Sequence, residues 1–354
     1  MNTLEQQLTY PWADTLPTPG ATLEVAPGVR WIRMGLPFAL DHINLWLLRD
    51  SQPGPHGPIE GWTVVDCCVA TEAARTQWET IFATQLEGLP ILRVIVTHMH
   101  PDHIGLAHWL CQRWQAPLWI SATDYYTARV ACEPGMGLQS ESATDFYAAH
   151  GLHSPEFLAH VRGRSSYYPA LVPSVPESFH RLLDGASVRI GQHDWHCLSG
   201  YGHAPEHIAL HCPSMGVMIS GDMVLPRIST NVSVYANEPT ADPLRLFLAS
   251  LERMRALPEQ TLILPSHGRP FRGLHQRLDQ LQAHHAGHLR IVLEACGQAP
   301  QSAADILPLL FPRALDAHQT TFAMGEALAH LHLLWHAGQI TRQQGSDGVL
   351  RFTA

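Results

Sequence analysis

The sequence predicts a layered α+β fold closed by a small helical unit, and three observations carry that prediction. Apolar strand-like runs alternate with helix-like runs from residue 22 to residue 121. A stretch of helices broken by Gly and Pro, 122–180, interrupts them before strands resume. From about residue 272 the pattern turns helical and ends in two short strand-like pieces. Strands that alternate with helices indicate stacked layers around a shared core.

Each element follows from its local pattern. "TLEVAPGVRWIRMG" and "INLWLLRD" alternate in the strand manner, and "GWTVVDCCVA" (61–70) is a buried-strand run ending at Asp66. "TEAARTQWETIFATQL" (71–86) has helical spacing, and "ILRVIVTHMH" (91–100) is a second buried strand. "GLAHWLCQRW" (105–114) reads as a helix and "APLWIS" (116–121) as a strand. The helical interruption reads as an insertion or lid. Strands resume at 186–200, 207–213 and 215–222, a helix follows at about 242–256, and "TLILPSHG" (261–268) is a further strand. The tail holds helices and then "QITRQQ" and "GVLRFTA", joined by the turn sequence "GSDG". The expected division is a domain over 1–275 and a winged-helix-like unit over 276–354.

Composition narrows the class. The 354 residues are 45% hydrophobic and 15% charged, which supplies a core and excludes wholesale disorder. With 22 basic and 31 acidic residues the net charge is −9, a poor match for nucleic-acid phosphates. The seven cysteines are scattered without a CxxC pair, so no disulfide framework is expected. The N-terminus lacks a basic region followed by an apolar run, and no apolar stretch is long enough to span a membrane. These features predict a cytoplasmic protein without a membrane partner.

Histidine is abundant at 24 residues, and it is the commonest metal ligand. "VTHMHPDHIG" (96–105) crowds His98, His100, Asp102 and His103 into a turn after an apolar strand. Rigid strand ends let several side chains converge on one point. Three more apolar strands run into possible ligands: His203 in "SGYGHAPEH", Asp222 in "MISGDMV" and His267 in "LILPSHGRP". An ionised Asp at such a strand end is costly unless paired or metal-bound. Imidazoles and carboxylates suit zinc, and also iron or manganese.

HxHxDH, a distant GH, GD at a strand end and a final SHG resemble the signature of the metallo-β-lactamase superfamily, in its glyoxalase-II-like branch. The resemblance covers roughly residues 20–275. It implies a four-layer αβ/βα sandwich with two divalent metal ions, zinc first. It places His98, His100 and His203 on one metal and Asp102, His103 and His267 on the other, with Asp222 bridging. At "VVDCCVA" the chain departs from the family's usual Asp-Thr-Gly, leaving Asp66 to orient a ligand histidine. The tail resembles a winged-helix subgroup that includes thioesterase-like hydrolases and an endoribonuclease.

The implied chemistry is hydrolysis. Two cations about 3.5 Å apart can share a hydroxide, which attacks a carbonyl without a Ser or Cys nucleophile. Asp102 would bind metal and orient that nucleophile, and Tyr201 is a candidate oxyanion donor. Arg227, Asn231 and Arg269 are candidates for binding a carboxylate or phosphate of the substrate. His207 is expected to pack or to support a ligand from behind. His284, His285 and His288 offer only one facing pair on a helix, so no third metal is expected from them. The tail helix "GEALAHLHLLWHAG" lacks basic residues, so it reads as a docking face closing one wall of the pocket, and a homodimer contact is a further possibility. The expected substrate is a small acyl compound, a thioester of the acyl-glutathione or acyl-CoA type. The alternatives are a phosphodiester hydrolase acting on single-stranded RNA and a non-catalytic metal-binding partner protein.

Overall fold

Runs such as Ile43–Leu48, buried at every position, can only be the inner strands of a covered sheet. The structure, a computed structural model, describes residues 4–133, 142–164 and 166–354. In chain order the first part holds β1 (Leu23–Ala26), β2 (Val29–Gly35), β3 (His42–Gly54), β4 (Gly57–Val65), α1 (Glu72–Thr84), β5 (Ile91–Ile95), α2 (Pro101–Ile104), α3 (Ala107–Trp114) and β6 (Leu118–Ser121). The insertion contributes α4 (Ala122–Ala131), α5 (Ser142–Ala149), α6 (Pro155–Gly163) and α7 (Tyr167–Leu171). Residues 134–141 and 165, within the predicted 122–180 segment, lie outside the described residues. There follow β7 (His180–Leu182), β8 (Ser187–Ile190), β9 (His193–Gly200), β10 (His207–Cys212), β11 (Val217–Gly221), α8 (Pro243–Met254) and β12 (Leu262–Pro265). The tail is α9 (Leu274–Gln298), α10 (Ala303–Leu310), α11 (Ala317–His336) and the hairpin β13 (Thr341–Gln344) and β14 (Leu350–Thr353).

Two sheets face each other, ordered β1-β2-β3-β4-β5-β6-β7 and β12-β11-β10-β9-β8. Three apolar clusters make four layers. One, containing Trp31, Trp46, Ile95, Trp195, Leu210 and Leu264, fills the space between the sheets. The second packs α1, α3 and α4 on the outer face of the first sheet through Trp78, Leu110 and Ala128. The third packs α8 and the tail helices on the second sheet through Phe247, Leu281, Leu328 and Leu331. Each fully buried aliphatic or aromatic side chain stabilises the fold by about 1.5–3 kcal/mol. The tail shares this core with α8 and the second sheet.

Strand direction positions the site. β5 runs parallel to β4 and β6, so the residues after β4 and β5 emerge at one end of the sheet. β11 and β12 are parallel too, and Asp222 and His267 leave the second sheet together. Carboxyl ends of parallel strands form the natural crevice of a layered sheet protein.

Local readings differ from the structure in three places. The strand expected to end at Asp66 ends at Val65, because Asp66 and Cys68 take left-handed φ values of 63° and 69°. The helix expected from 105 starts at Pro101, with a break before Ala107. There a Cβ on Gly105 would lie 2.6 Å from the Cys68 carbonyl oxygen, so only glycine fits. β7 was not anticipated. It adds three residues to the sheet edge, too few for a periodic signal.

Candidate metal centre

All seven predicted ligands converge. His98, His100 and His203 offer donor atoms within 4.8 Å of one another, as do Asp102, His103 and His267, and His98, His103 and Asp222. Asp222 stands between the groups: its Oδ2 is 3.3 Å from His203 Nε2, and its Oδ1 is 3.4 Å from His267 Nε2 and 3.6 Å from His103 Nε2. Asp102 Oδ2 lies 3.4 Å from His267 Nε2 and 3.6 Å from His103 Nε2.

The outer ring nitrogens decide what faces inward. His103 Nδ1 donates to Asp66 at 2.8 Å, His203 Nδ1 to the Asn231 carbonyl at 2.7 Å, and His267 Nδ1 to the His42 carbonyl at 2.7 Å. The Thr97 hydroxyl donates to Asp66 and therefore accepts from His98 Nδ1, 3.1 Å away. In their neutral forms His98, His103, His203 and His267 each turn a bare Nε2 lone pair to the centre. His98 Nε2 and His203 Nε2 are only 3.2 Å apart, and the other lone pairs face carboxylate oxygens. Acceptors facing acceptors repel unless a cation or proton lies between them. Buried His103 Nε2 and Asp222 Oδ1 have no hydrogen-bond partner among the described residues. Zinc bonds of about 2.1 Å to nitrogen or oxygen in a tetrahedral site separate ligand atoms by about 3.4 Å, the spacing present here. The donor set fits divalent metal.

The electrostatics differ across the centre. Burial, reinforced by His103 and His100, holds His98 far below the usual imidazole range, and burial with His203 nearby takes His100 down to about 3. His98 and His100 are therefore held neutral, the form that binds metal. On the other side burial opposes charge, yet Asp222 and Asp102 outweigh it and lift His267 to about 10. His103 is lifted likewise, by Asp66, Asp102 and Asp222 against its burial. The carboxylate side demands positive charge, and a metal meets the same demand as a proton.

Asp66 acts as the sequence suggested: it accepts from Thr97 N–H at 2.8 Å, from the Thr97 hydroxyl and from His103. The left-handed conformation falls on Cys68, where the family pattern has glycine. His207 begins β10 and accepts from the Asp222 N–H at 3.1 Å. Gly221 makes this possible, since a Cβ there would fall 2.1 Å from His207 Nε2.

The substrate candidates fare differently. Asn231 contributes through its backbone, holding His203. Arg227 is exposed. Arg269 is corrected: its guanidinium binds the Ala13 carbonyl and Asp14 and lies 4.2 Å over the Tyr10 ring, tethering the N-terminal segment instead of facing the metals. The Tyr201 amide donates to Ser250 on α8, and its hydroxyl makes no hydrogen bond among the described residues.

Several supporting residues were missed. Asp124 accepts from the N–H groups of Met99 and Glu206 at 2.8 and 2.6 Å, and Tyr168 Oη donates to the Met99 carbonyl at 2.6 Å, so both clamp the ligand turn. Asn44 donates to the Pro265 and Gly268 carbonyls on either side of His267. A buried Asp three residues after the helix cap Ser121 was a usable signal; Tyr168 had none. α7 packs on α2 and brings Tyr167 between Phe38 and His318, at 6.4 and 6.0 Å between rings. Insertion and tail thus meet beside the centre. A separate open cavity of about 800 Å³, lined by Gln52, Ile190, His193 and Met215, includes none of the seven ligands.

Comparisons with known proteins agree with this geometry. A family model described as "Metallo-beta-lactamase superfamily" matches residues 44–267, and one described as "Metallo-beta-lactamase-like, C-terminal domain" matches 289–354. The Bacillus subtilis protein described as "Probable metallo-hydrolase YqjP" is 25% identical over 307 residues, 86% of this chain and 91% of that one. The crystal structure of a beta-lactamase domain protein from Burkholderia ambifaria is 54% identical with a TM-score of 0.94 and covers 99% of both chains. A metallo-beta-lactamase family protein from Thermus thermophilus is 27% identical with a TM-score of 0.74, covering 93% of this chain and 99% of that one.

Proposed function

This chain belongs to the metallo-beta-lactamase superfamily, and from that membership we propose that it is a dinuclear metal-dependent hydrolase of thioesters or related acyl compounds. The observation that carries the metal reading is the set of inward Nε2 lone pairs facing the oxygens of Asp102 and Asp222 at 3.3–3.6 Å. His98, His100 and His203 would hold one ion, Asp102, His103 and His267 the other, and Asp222 both. Bound there, two divalent cations would activate water near neutral pH and polarise a carbonyl oxygen.

The chain's own groups do the rest. Asp66, Asn231 and His42 fix the ring orientations of His103, His203 and His267. Asp102, less enclosed than Asp222, would orient the attacking water. Phe38, Tyr167 and His318 offer an aromatic wall to an uncharged acyl chain. That wall favours a substrate with an apolar acyl group, and the acidic balance disfavours a nucleic acid.

The test is a substrate panel: acyl-glutathione and acyl-CoA thioesters, lactones and labelled single-stranded RNA, each with and without chelator. Chelator-sensitive thioester turnover is expected. Cleavage of RNA alone would overturn the acyl assignment, and metal content near zero with all ligands intact would overturn the dinuclear one.

A further inference from the structure

A second cluster of metal-binding side chains lies in the tail, outside the centre described above. His284 and His288 stand one turn apart on α9, and Glu326 reaches them from α11. Their donor atoms all lie within 4.8 Å of one another. Two histidines at i, i+4 share a helix face, so the pair needs only one group from a neighbouring helix to complete three ligands.

The groups are left without partners. Glu326 is 8% exposed, and its carboxylate accepts no hydrogen bond among the described residues. His284 Nε2 and His288 Nδ1 are buried and have no partner either. A buried carboxyl without a donor is costly, and native proteins seldom keep one without a use. Behind it, His330 Nδ1 donates to the Glu326 carbonyl at 2.8 Å, and His330 Nε2 lies 3.2 Å from His285 Nδ1. His330 and His285 thus pack behind the cluster. That 4.8 Å limit encloses the about 3.4 Å between ligand atoms of a filled tetrahedral site, and His284 and His288 are both partly exposed.

We infer that His284, His288 and Glu326 form a structural site for a divalent cation of the zinc type, which pins α9 to α11. Neutral imidazoles and one carboxylate are the donors such an ion takes, with water in the remaining position. The site has a defined consequence. Glu326 follows Gly325, whose carbonyl accepts from Val234 N–H at 3.1 Å and whose Cα packs against Ser233. The same loop presents the Asn231 carbonyl to His203. An ion at Glu326 steadies the helix that supports one wall of the catalytic centre.

The experiment measures zinc per chain after gel filtration, in the full-length protein and in Glu326→Gln and His288→Ala, and in each again after His98→Ala and His203→Ala. Each tail variant is expected to bind about one equivalent less zinc than its parent in both backgrounds. Zinc is also expected to raise the Tm of the His98→Ala/His203→Ala chain by more than that of its Glu326→Gln derivative, in which only Asp102, His103, Asp222 and His267 remain to bind it. Cobalt substitution of the His98→Ala/His203→Ala chain should give visible absorption that Glu326→Gln lowers by the contribution of about one equivalent of cobalt. Equal zinc in parent and tail variants, with circular dichroism unchanged, overturns the site. Because the comparison is a difference between variants, it holds whether or not the catalytic centre loads.

Discussion

The two histidine–carboxylate clusters differ in how they are held. In the catalytic centre the outer nitrogens of His103, His203 and His267 are each fastened, to Asp66, Asn231 and His42. In the tail, His284 and His288 keep buried, unpartnered nitrogens on a helix face. Strand-end loops place ligands from four segments of chain around one point and leave the backbone free to orient each ring. A helix spaces its ligands by its own pitch, and neither His284 Nε2 nor His288 Nδ1 finds a backbone acceptor among the described residues. The first arrangement preorganises ligands for chemistry; the second suits an ion that holds two elements together.

The largest effect should come from the residue shared by both halves of the centre. Asp222→Ala is expected to reduce chelator-sensitive turnover to background while far-ultraviolet circular dichroism stays unchanged; retained turnover would break the bridging role. Next is Glu326→Gln in metal-free protein. Burial pushes the Glu326 carboxyl up to about 7 from an unfolded value of 4.5. Deprotonation therefore destabilises the fold as pH rises from 4.5 to 7, by at most about 3 kcal/mol at 1.36 kcal/mol per pKa unit. Urea unfolding should show Glu326→Gln more stable than the parent at pH 8 and similar at pH 4.5. A pH-independent difference would mean that the carboxyl is not buried as described.

Asp66→Asn keeps the shape and removes the charge that holds His103, and about 10–100-fold weaker metal retention in a chelator competition is expected. No change would reduce Asp66 to a turn residue. The smallest effect should be Tyr168→Phe, which leaves the buried Met99 carbonyl without its donor and costs about 1–2 kcal/mol in urea unfolding. A null result would show that Asp124 alone clamps the ligand turn.

Much of the catalytic centre was legible because its signals are local. His98, His100, Asp102 and His103 fall in six residues after a strand, and His203, Asp222 and His267 each follow an apolar run. The strands were legible for the same reason, since burial on both faces writes continuous apolar runs into them, whereas the four layers followed from the family resemblance of the ligand motif. The helical insertion was visible as a break in strand pattern, but Tyr168's reach to Met99 was not, because nothing in a Tyr-Tyr-Pro segment encodes a contact made 69 residues away. Arg269 was misread because a basic residue beside a ligand looks the same whether it faces substrate or, as here, the N-terminal Asp14.

The sequence by itself determined the metal-binding residue types, the strands that carry them and the family they belong to, because each depends on neighbours in the chain. Only the tertiary structure decided which nitrogen of each histidine faces the centre, since backbone carbonyls of Asn231 and His42 settle it and a carbonyl has no sequence signature. It alone brought Glu326 to His284 and His288, because two helices had to pack before the facing pair could find a third group.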